Sequence, residues 1–369
     1  MERLTNVIIN AIERGWLPDA VTRRLVRRLC KQRLAELRRQ QSDDAFANSF
    51  FKKMTESQVA PVPDKANDQH YELPAEFFEL MLGERLKYSC CFFDEPSTKL
   101  TQAEEVSLQT VCQRADLSEG MNVLELGCGW GSLTLWMLTH FPKTTVTAVS
   151  NSSQQRRLIL DRAEALGVAD RLNVITADMN HFDIEDNSFD RVVSCEMFEH
   201  MRNYEVLLRR VSKWLKPTGK LFVHIFCHKD YIYEFETEGA SNWMGRYFFT
   251  GGIMPNFDVF DNFSADLQVQ DSWIWDGTHY QRTCNAWLEL LDERRAAAMK
   301  ILRQTYGDQQ ANRWFHRWRL FLIAGAELFG FDRGSQWQIG HYLFQPTGQP
   351  TQPSNQPSSQ TSNQTTATE

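Results

Sequence analysis

Asn122-Val-Leu-Glu-Leu-Gly-Cys-Gly-Trp-Gly-Ser-Leu-Thr-Leu-Trp-Met-Leu-Thr-His140 decides the fold. Its first five residues read as a buried strand, and 133–140 reads as a helix. Between them stand Gly127, Gly129 and Gly131, spaced two apart. Glycine permits positive φ and close approach of backbone to a ligand, and the helix N-terminus that follows offers free N–H donors. A dinucleotide fingerprint needs a wider last gap, G-x-G-x-x-G, to seat its pyrophosphate. The tighter turn here, with the acidic Glu125 two residues before the first glycine, suits a ligand without phosphate.

Outward from this turn, strand and helix alternate as in a doubly wound α/β domain. Strands are expected at 145–150, 172–177, 191–195 and 220–226, with helices at 154–166 and 204–215. The Lys216-Pro217-Thr218-Gly219 turn closes the second of these helices. The reading is an α/β class with a Rossmann-like domain at 61–226. A helical segment and linker (1–60) precede it, a substrate-covering region of helices and loops (227–345) follows, and a disordered polar tail (346–369) ends the chain. In the first segment Pro18 divides two helices and 41–68 reads as linker. Helices are expected at 285–304 and 314–329.

The formal net charge of −7 argues against nucleic acid as a partner, since no positive field is available for phosphates. No stretch nears the ~20 apolar residues that cross a bilayer, and no signal peptide opens the sequence. Eight scattered cysteines form no spaced framework, so they read as reduced thiols of a cytoplasmic protein. The stretch 23–39 is strongly basic, with Arg23, Arg24, Arg27, Arg28, Lys31, Arg33, Arg38 and Arg39. It reads as a solvated helix face, with peripheral contact to an anionic membrane as the alternative. A homodimer is left open.

S-adenosylmethionine fits a phosphate-free turn, and the surrounding motifs narrow the reading. They are Tyr71-Glu-Leu-Pro74, Phe77-Phe78, Leu86-Lys-Tyr88-Ser89-Cys90-Cys91-Phe92-Phe93, Glu196-Met-Phe-Glu199-His200-Met201 and Tyr247-Phe-Phe-Thr-Gly-Gly-Ile-Met254-Pro255. On these the chain resembles the coclaurine N-methyltransferase-like enzymes of the cyclopropane fatty acid synthase superfamily, within the class I methyltransferases. The resemblance implies S-adenosyl-L-methionine as cofactor. Tyr88 and Ser89 would hold its methionine end, with Glu125, Gly127 and Gly129 at the turn beneath. Most class I enzymes end the second strand in an acidic residue; Ser150 and Asn151 stand there instead, followed by Gln155, as is usual in this superfamily. Asp178, Met179 and Asn180 would lie by the adenine.

Glu196, Glu199 and His200 follow the fourth strand, where an open sheet faces its ligand crevice, and helical spacing would set them on one side. Paired carboxylates and an imidazole are candidate proton acceptors, and an alkyl amine must lose a proton before it can attack a methyl sulfonium. The resemblance assigns this catalytic role to the trio and a small-molecule amine as substrate. The rival chemistry is methyl or methylene transfer to an unsaturated acyl chain of a lipid. In that branch a bicarbonate base is held at positions matching Cys90, Glu199, His224 and Tyr280. Glu196 separates the two, since the cyclopropane synthases carry a small residue there. A third reading is cofactor binding without catalysis. His224-x-x-Cys227-His228 lacks a carboxylate at useful spacing, so no metal is expected.

Overall fold

The computed structural model describes residues 2–42, 44–62 and 73–347. Tyr71 and Glu72 of the first motif, and the polar tail from 348 onward, lie outside the described residues. Strands β1 (Asn122–Leu126), β2 (Thr145–Ser150), β3 (Leu172–Thr176), β4 (Phe189–Cys195) and β5 (Leu215–His228) are parallel to one another. The two-residue strands β6 (Tyr233–Glu234) and β7 (Ile253–Met254) form a small separate pair. Strands β8 (Leu267–Trp275) and β9 (Trp337–Pro346) complete a seven-stranded sheet in the order β3-β2-β1-β4-β5-β9-β8, with β9 antiparallel to both neighbours.

The sheet thus runs past residue 226, where the sequence reading ended it. Two of its strands come from the region expected only to cover the site. Their alternation is broken by a register shift between Val269 and Asp271 in β8, and β9 is apolar on both faces, so neither looks like a simple amphipathic strand.

Period-two alternation along β1 buries both faces. Val123 packs with helices α5 (Leu100–Arg114), α6 (Ser132–His140) and α7 (Ser153–Ala165). Leu124 and Leu126 pack on the other side with α8 (Tyr204–Trp214) and, unexpectedly, with α3 (Asp44–Thr55). Residues 41–68 read as linker, but Phe46, Phe50 and Met54 recur every four residues and lay an apolar stripe on the core.

A second core joins α1 (Glu2–Glu13), α4 (Ala75–Met81) and the short α9 (Trp243–Tyr247) to three C-terminal helices, α10 (Thr278–Glu293), α11 (Arg295–Tyr306) and α12 (Asp308–Phe329). The single helix expected at 285–304 is two. The chain breaks at Arg294, whose guanidinium donates to the Glu79 and Leu80 carbonyls near the end of α4. Trp130 of the glycine turn reaches into this core and meets Phe78 at 4.7 Å, tying the turn to the helical cover.

The basic helix α2 (Asp19–Gln40) begins after Pro18 and is only partly a solvated face. Cys30, Leu34 and Leu37 are buried on one side of it. Arg23 donates to Glu327 at 2.8 Å and to Asn285 at 2.7 Å, and Arg27 also pairs with Glu327, a side chain only 2% exposed on α12. Arg24, Arg28, Lys31, Arg38 and Arg39 stay exposed. Among the described residues, no helix is long and apolar enough to cross a membrane.

A buried carboxylate stripped of its charge leaves these arginines without a strong acceptor. Glu327→Gln is therefore expected to cost about 1–2 kcal/mol, since both arginines keep some water contact. Arg27→Ala, whose side chain is 56% exposed, should cost well under half of that. Urea unfolding of both variants beside the parent chain checks the ranking.

Candidate functional site

The carboxyl ends of β1, β2 and β4 open on one cavity of about 810 Å³, mouth included. Gly127, Gly129, Ser150, Asn151, Gln155, Asp178, Met179, Glu196 and His200 line it, together with Met201 and Thr250 of the quoted motifs and with Ala60 and Val62, which the sequence reading did not single out. No lysine or arginine is among the described lining residues, so the cavity offers nothing to a phosphate.

The three glycines serve different ends. All have positive φ, from 51° to 81°. A Cβ on Gly127 would stand 2.6 Å from Met197 Cβ, and one on Gly131 would stand 2.6 Å from Ile159 Cγ1, so these two are steric requirements of packing. A Cβ on Gly129 would meet nothing within 4 Å, because that glycine faces the opening. On the far wall Ser150 Oγ donates to Gln155 Oε1, and Gln155 Nε2 is a buried donor with no partner among the described residues.

Other expected ligand positions lie outside this lining. Glu125 is buried beneath the turn and accepts from Thr134 Oγ1; burial pushes its carboxyl up to about 8. Asn180 clasps Ala60, with Oδ1 accepting its N–H at 2.9 Å and Nδ2 donating to its carbonyl at 2.8 Å. Ser89 Oγ accepts a hydrogen bond from the buried Lys87 Nζ at 2.5 Å, and Lys87 also donates to the Cys90 carbonyl. Tyr88 packs against Phe78 and Trp287.

The acid–base cluster is arranged differently from the single helical face its spacing suggested. Glu196 has φ 49°, a left-handed conformation uncommon for a side chain with Cβ, and its N–H donates to the His224 carbonyl. That twist precedes a 3-10 turn, Phe198–His200, so Glu196 and Glu199 diverge. Glu196 Oε1 accepts from the Cys90 N–H at 2.9 Å and lies 3.2 Å from His224 Nε2, while Oε2 accepts from the Tyr280 hydroxyl at 2.6 Å. The motif residues Cys90, His224 and Tyr280 thus gather on the carboxylate of Glu196, itself a lining residue, and are not among the lining themselves. Glu199 is buried and outside the lining, and its Oε2 has no hydrogen-bond partner among the described residues. His200 lines the cavity and stacks on Phe249 at 5.7 Å.

These surroundings set the charges. Burial raises the Glu196 carboxyl, but the donors His224 and Tyr280 and the nearby Lys87 outweigh it and hold it below the usual 4.5. Burial, and then the Glu196 charge, push Glu199 well above that range. The two carboxyls are thus pushed apart, and Glu196 is the one that ionises first. Burial lowers His200 to about 4 against the pull of Glu196, leaving a neutral imidazole.

A sequence profile described as mycolic acid cyclopropane synthetase matches residues 62–339. The chain belongs to that family. Within reach of it, (S)-coclaurine N-methyltransferase of Thalictrum flavum subsp. glaucum is 33% identical over 92% of this chain and 95% of that protein. The crystal structure of coclaurine N-methyltransferase bound to N-methylheliamine and SAH superposes with a TM-score of 0.87 at 32% identity, covering 92% of this chain and 98% of the other. The cyclopropane-fatty-acyl-phospholipid synthase of Escherichia coli (strain K12) is 29% identical over 73% of this chain and 66% of its own length. The fold is that of the class I methyltransferases. S-adenosylmethionine suits the cavity on its own terms. Gly129 leaves an open approach, and among the described residues Gln155 Nε2 has no acceptor and the lining has no lysine or arginine to repel a sulfonium.

Filling the open side of Gly129 should block that approach at little cost to the fold. Gly129→Val is expected to weaken S-adenosylhomocysteine binding at least tenfold, with only the ~1–2 kcal/mol of strain that a left-handed φ imposes on a side chain. Titration calorimetry and a melting curve on the same sample separate the two effects.

Proposed function

We propose that this S-adenosylmethionine-dependent methyltransferase places the methyl group on the nitrogen of a small, largely apolar amine, with Glu196 receiving the ammonium side of the substrate. The observation that carries the reading is the coordination of Glu196. An ionised carboxylate offers about four acceptor positions. Three are taken by Cys90 N–H, His224 and Tyr280, and the carboxylate borders the cavity with capacity for one more donor. An ammonium N–H is a donor of the right charge.

Bound S-adenosylmethionine supplies a methyl group already activated on a positive sulfur. The protein has to exclude water, align the nitrogen and free its lone pair. Glu196 binds the N–H, and His200, a neutral imidazole in the same cavity, offers a second acceptor for the proton. Glu199, whose carboxyl burial and the Glu196 charge push well up, resists taking a second negative charge beside Glu196. Phe249 beside His200 supplies apolar wall. The names of the relatives agree in kind, with coclaurine, pavine and tetrahydroprotoberberine N-methyltransferases among them.

The lipid reading is supported less. Of the four positions that the resemblance gives to bicarbonate, Cys90, His224 and Tyr280 already bind the Glu196 carboxylate, which leaves a second anion nowhere to sit.

Glu196→Gln keeps the shape and removes the charge. Turnover of an amine substrate at pH 7 should fall by ~10²–10⁴-fold, the usual worth of one positioned base. Because the wild-type carboxyl is held below 4.5, its rate between pH 6 and 9 should follow the amine's own titration, not that of Glu196. The variant should recover in part as pH rises and free base accumulates. A pH–rate profile of both proteins is the check, and full activity of Glu196→Gln at pH 7 would remove Glu196 from the chemistry.

A further inference from the structure

Behind Glu196 a buried chain of hydrogen bonds leads away from the cavity. His224 Nδ1 lies 2.8 Å from Nε2 of His341, and His341 Nδ1 lies 2.6 Å from Nη1 of Arg114. We propose that Arg114 and His341 are positioning residues for methyl transfer, because their one-way hydrogen-bond chain fixes the tautomer of His224 and so aims an N–H at the Glu196 carboxylate. The proposal rests on the reading of Glu196 given above.

The direction follows from the donor inventory. A guanidinium has only N–H donors, so His341 Nδ1 must be the acceptor. A neutral His341 then carries its proton on Nε2 and donates to His224 Nδ1. That leaves His224 with its proton on Nε2, facing Glu196 Oε1 at 3.2 Å. The opposite pair of tautomers would set N–H against N–H at Arg114 and a lone pair against the carboxylate. Both rings are fully buried, and burial lowers His224 to about 4 and holds His341 well below the usual imidazole range, which favours the neutral form of both at neutral pH.

Strand register builds the line. His224 on β5 pairs directly with His341 on β9, and His341 pairs with Trp273 on β8. A slip of one residue would turn each ring to the other side of the sheet. Arg114, the last residue of α5, reaches over the faces of Trp273 and Trp275, with centroids 5.1 and 5.5 Å away. Burial lowers this guanidinium to about 10, which leaves it charged at pH 7. The other groups facing Glu196 are Lys87, Cys90 and Cys91 from the segment before α5, Tyr280 and Cys284 from α10, and Cys195, Glu199 and His200 from its own loop. Lys87 alone among them is a cation, and it donates to Ser89 and Cys90 rather than to the histidines.

Such a chain polarises but does not conduct. Its far end is a cation that cannot take up a proton, so the proton lost by the substrate leaves through the cavity and not through the sheet.

Two measurements test this. Nitrogen-15 spectra of histidine-labelled wild-type protein at pH 7 should show His224 and His341 neutral, each protonated on Nε2. Either ring protonated on Nδ1, or charged, would overturn the proposal without any variant having to fold. The further loss of kcat/KM below pH 6, where Glu196 takes up its proton on top of the amine's own titration, should set in about one pH unit higher in His341→Phe and in Arg114→Met, as expected when an aligned donor to a carboxylate is lost. The KM for S-adenosylmethionine should not change, and activity should return toward wild type at higher pH. Arg114→Lys keeps a charged donor and should restore the wild-type profile. Unchanged acid limbs in both folded variants would also overturn it. If Glu196 itself is not the base, Glu196→Gln keeps full activity while the tautomers stay as stated, so the two failures look different.

Discussion

A carboxylate taken out of water must find donors, and the Glu196 carboxylate finds them on three separate parts of the chain. The Cys90 N–H comes from the segment ahead of α5, His224 from the middle of the sheet, and the Tyr280 hydroxyl from the first turn of α10. Each has to arrive within hydrogen-bonding distance or leave a buried charge unsatisfied. That demand links the Rossmann-like half to its helical cover more tightly than apolar contact alone, which tolerates small shifts. It also accounts for the strained backbone at Glu196, whose left-handed φ turns the side chain toward this cluster.

Much of the central sheet was legible, since helices separate β1 from β2, β2 from β3 and β4 from β5, and the glycine turn marks the edge on which the cavity opens. The later strands were not. β9 finds its partners through pairings distant in sequence, and nothing within a window around Ile339 or Tyr342 says that His224 lies opposite. The α3 stripe was hidden for another reason, because Phe46, Phe50 and Met54 stand among polar residues whose average suggests a loop.

The site was legible in kind and less so in detail. Residues such as Ser150, Asn151, Gln155 and Asp178 reach the cavity through positions at strand ends that topology alone dictates. The divergence of Glu196 from Glu199 depends on one backbone angle, which spacing cannot reveal. Arg114 and His341 carried no local signal, and Lys87 stood in a quoted motif without a role of its own. A lone basic residue at a helix end, or a histidine within an apolar strand, gains meaning only when burial and neighbours are known.

The contact between Gly127 and Met197 makes two parts of the site a single mechanical piece. Met197 immediately follows Glu196, and its side chain fits only because Gly127 has no Cβ. Divergence at one of these positions is therefore constrained by the other. A lineage that enlarged residue 127 would need a smaller residue at 197, or else carry a displaced carboxylate. In descendants of this scaffold the cavity walls are less constrained than the join between the glycine turn and the Glu196 loop. New substrates would then be reached by changing the cover and not this joint.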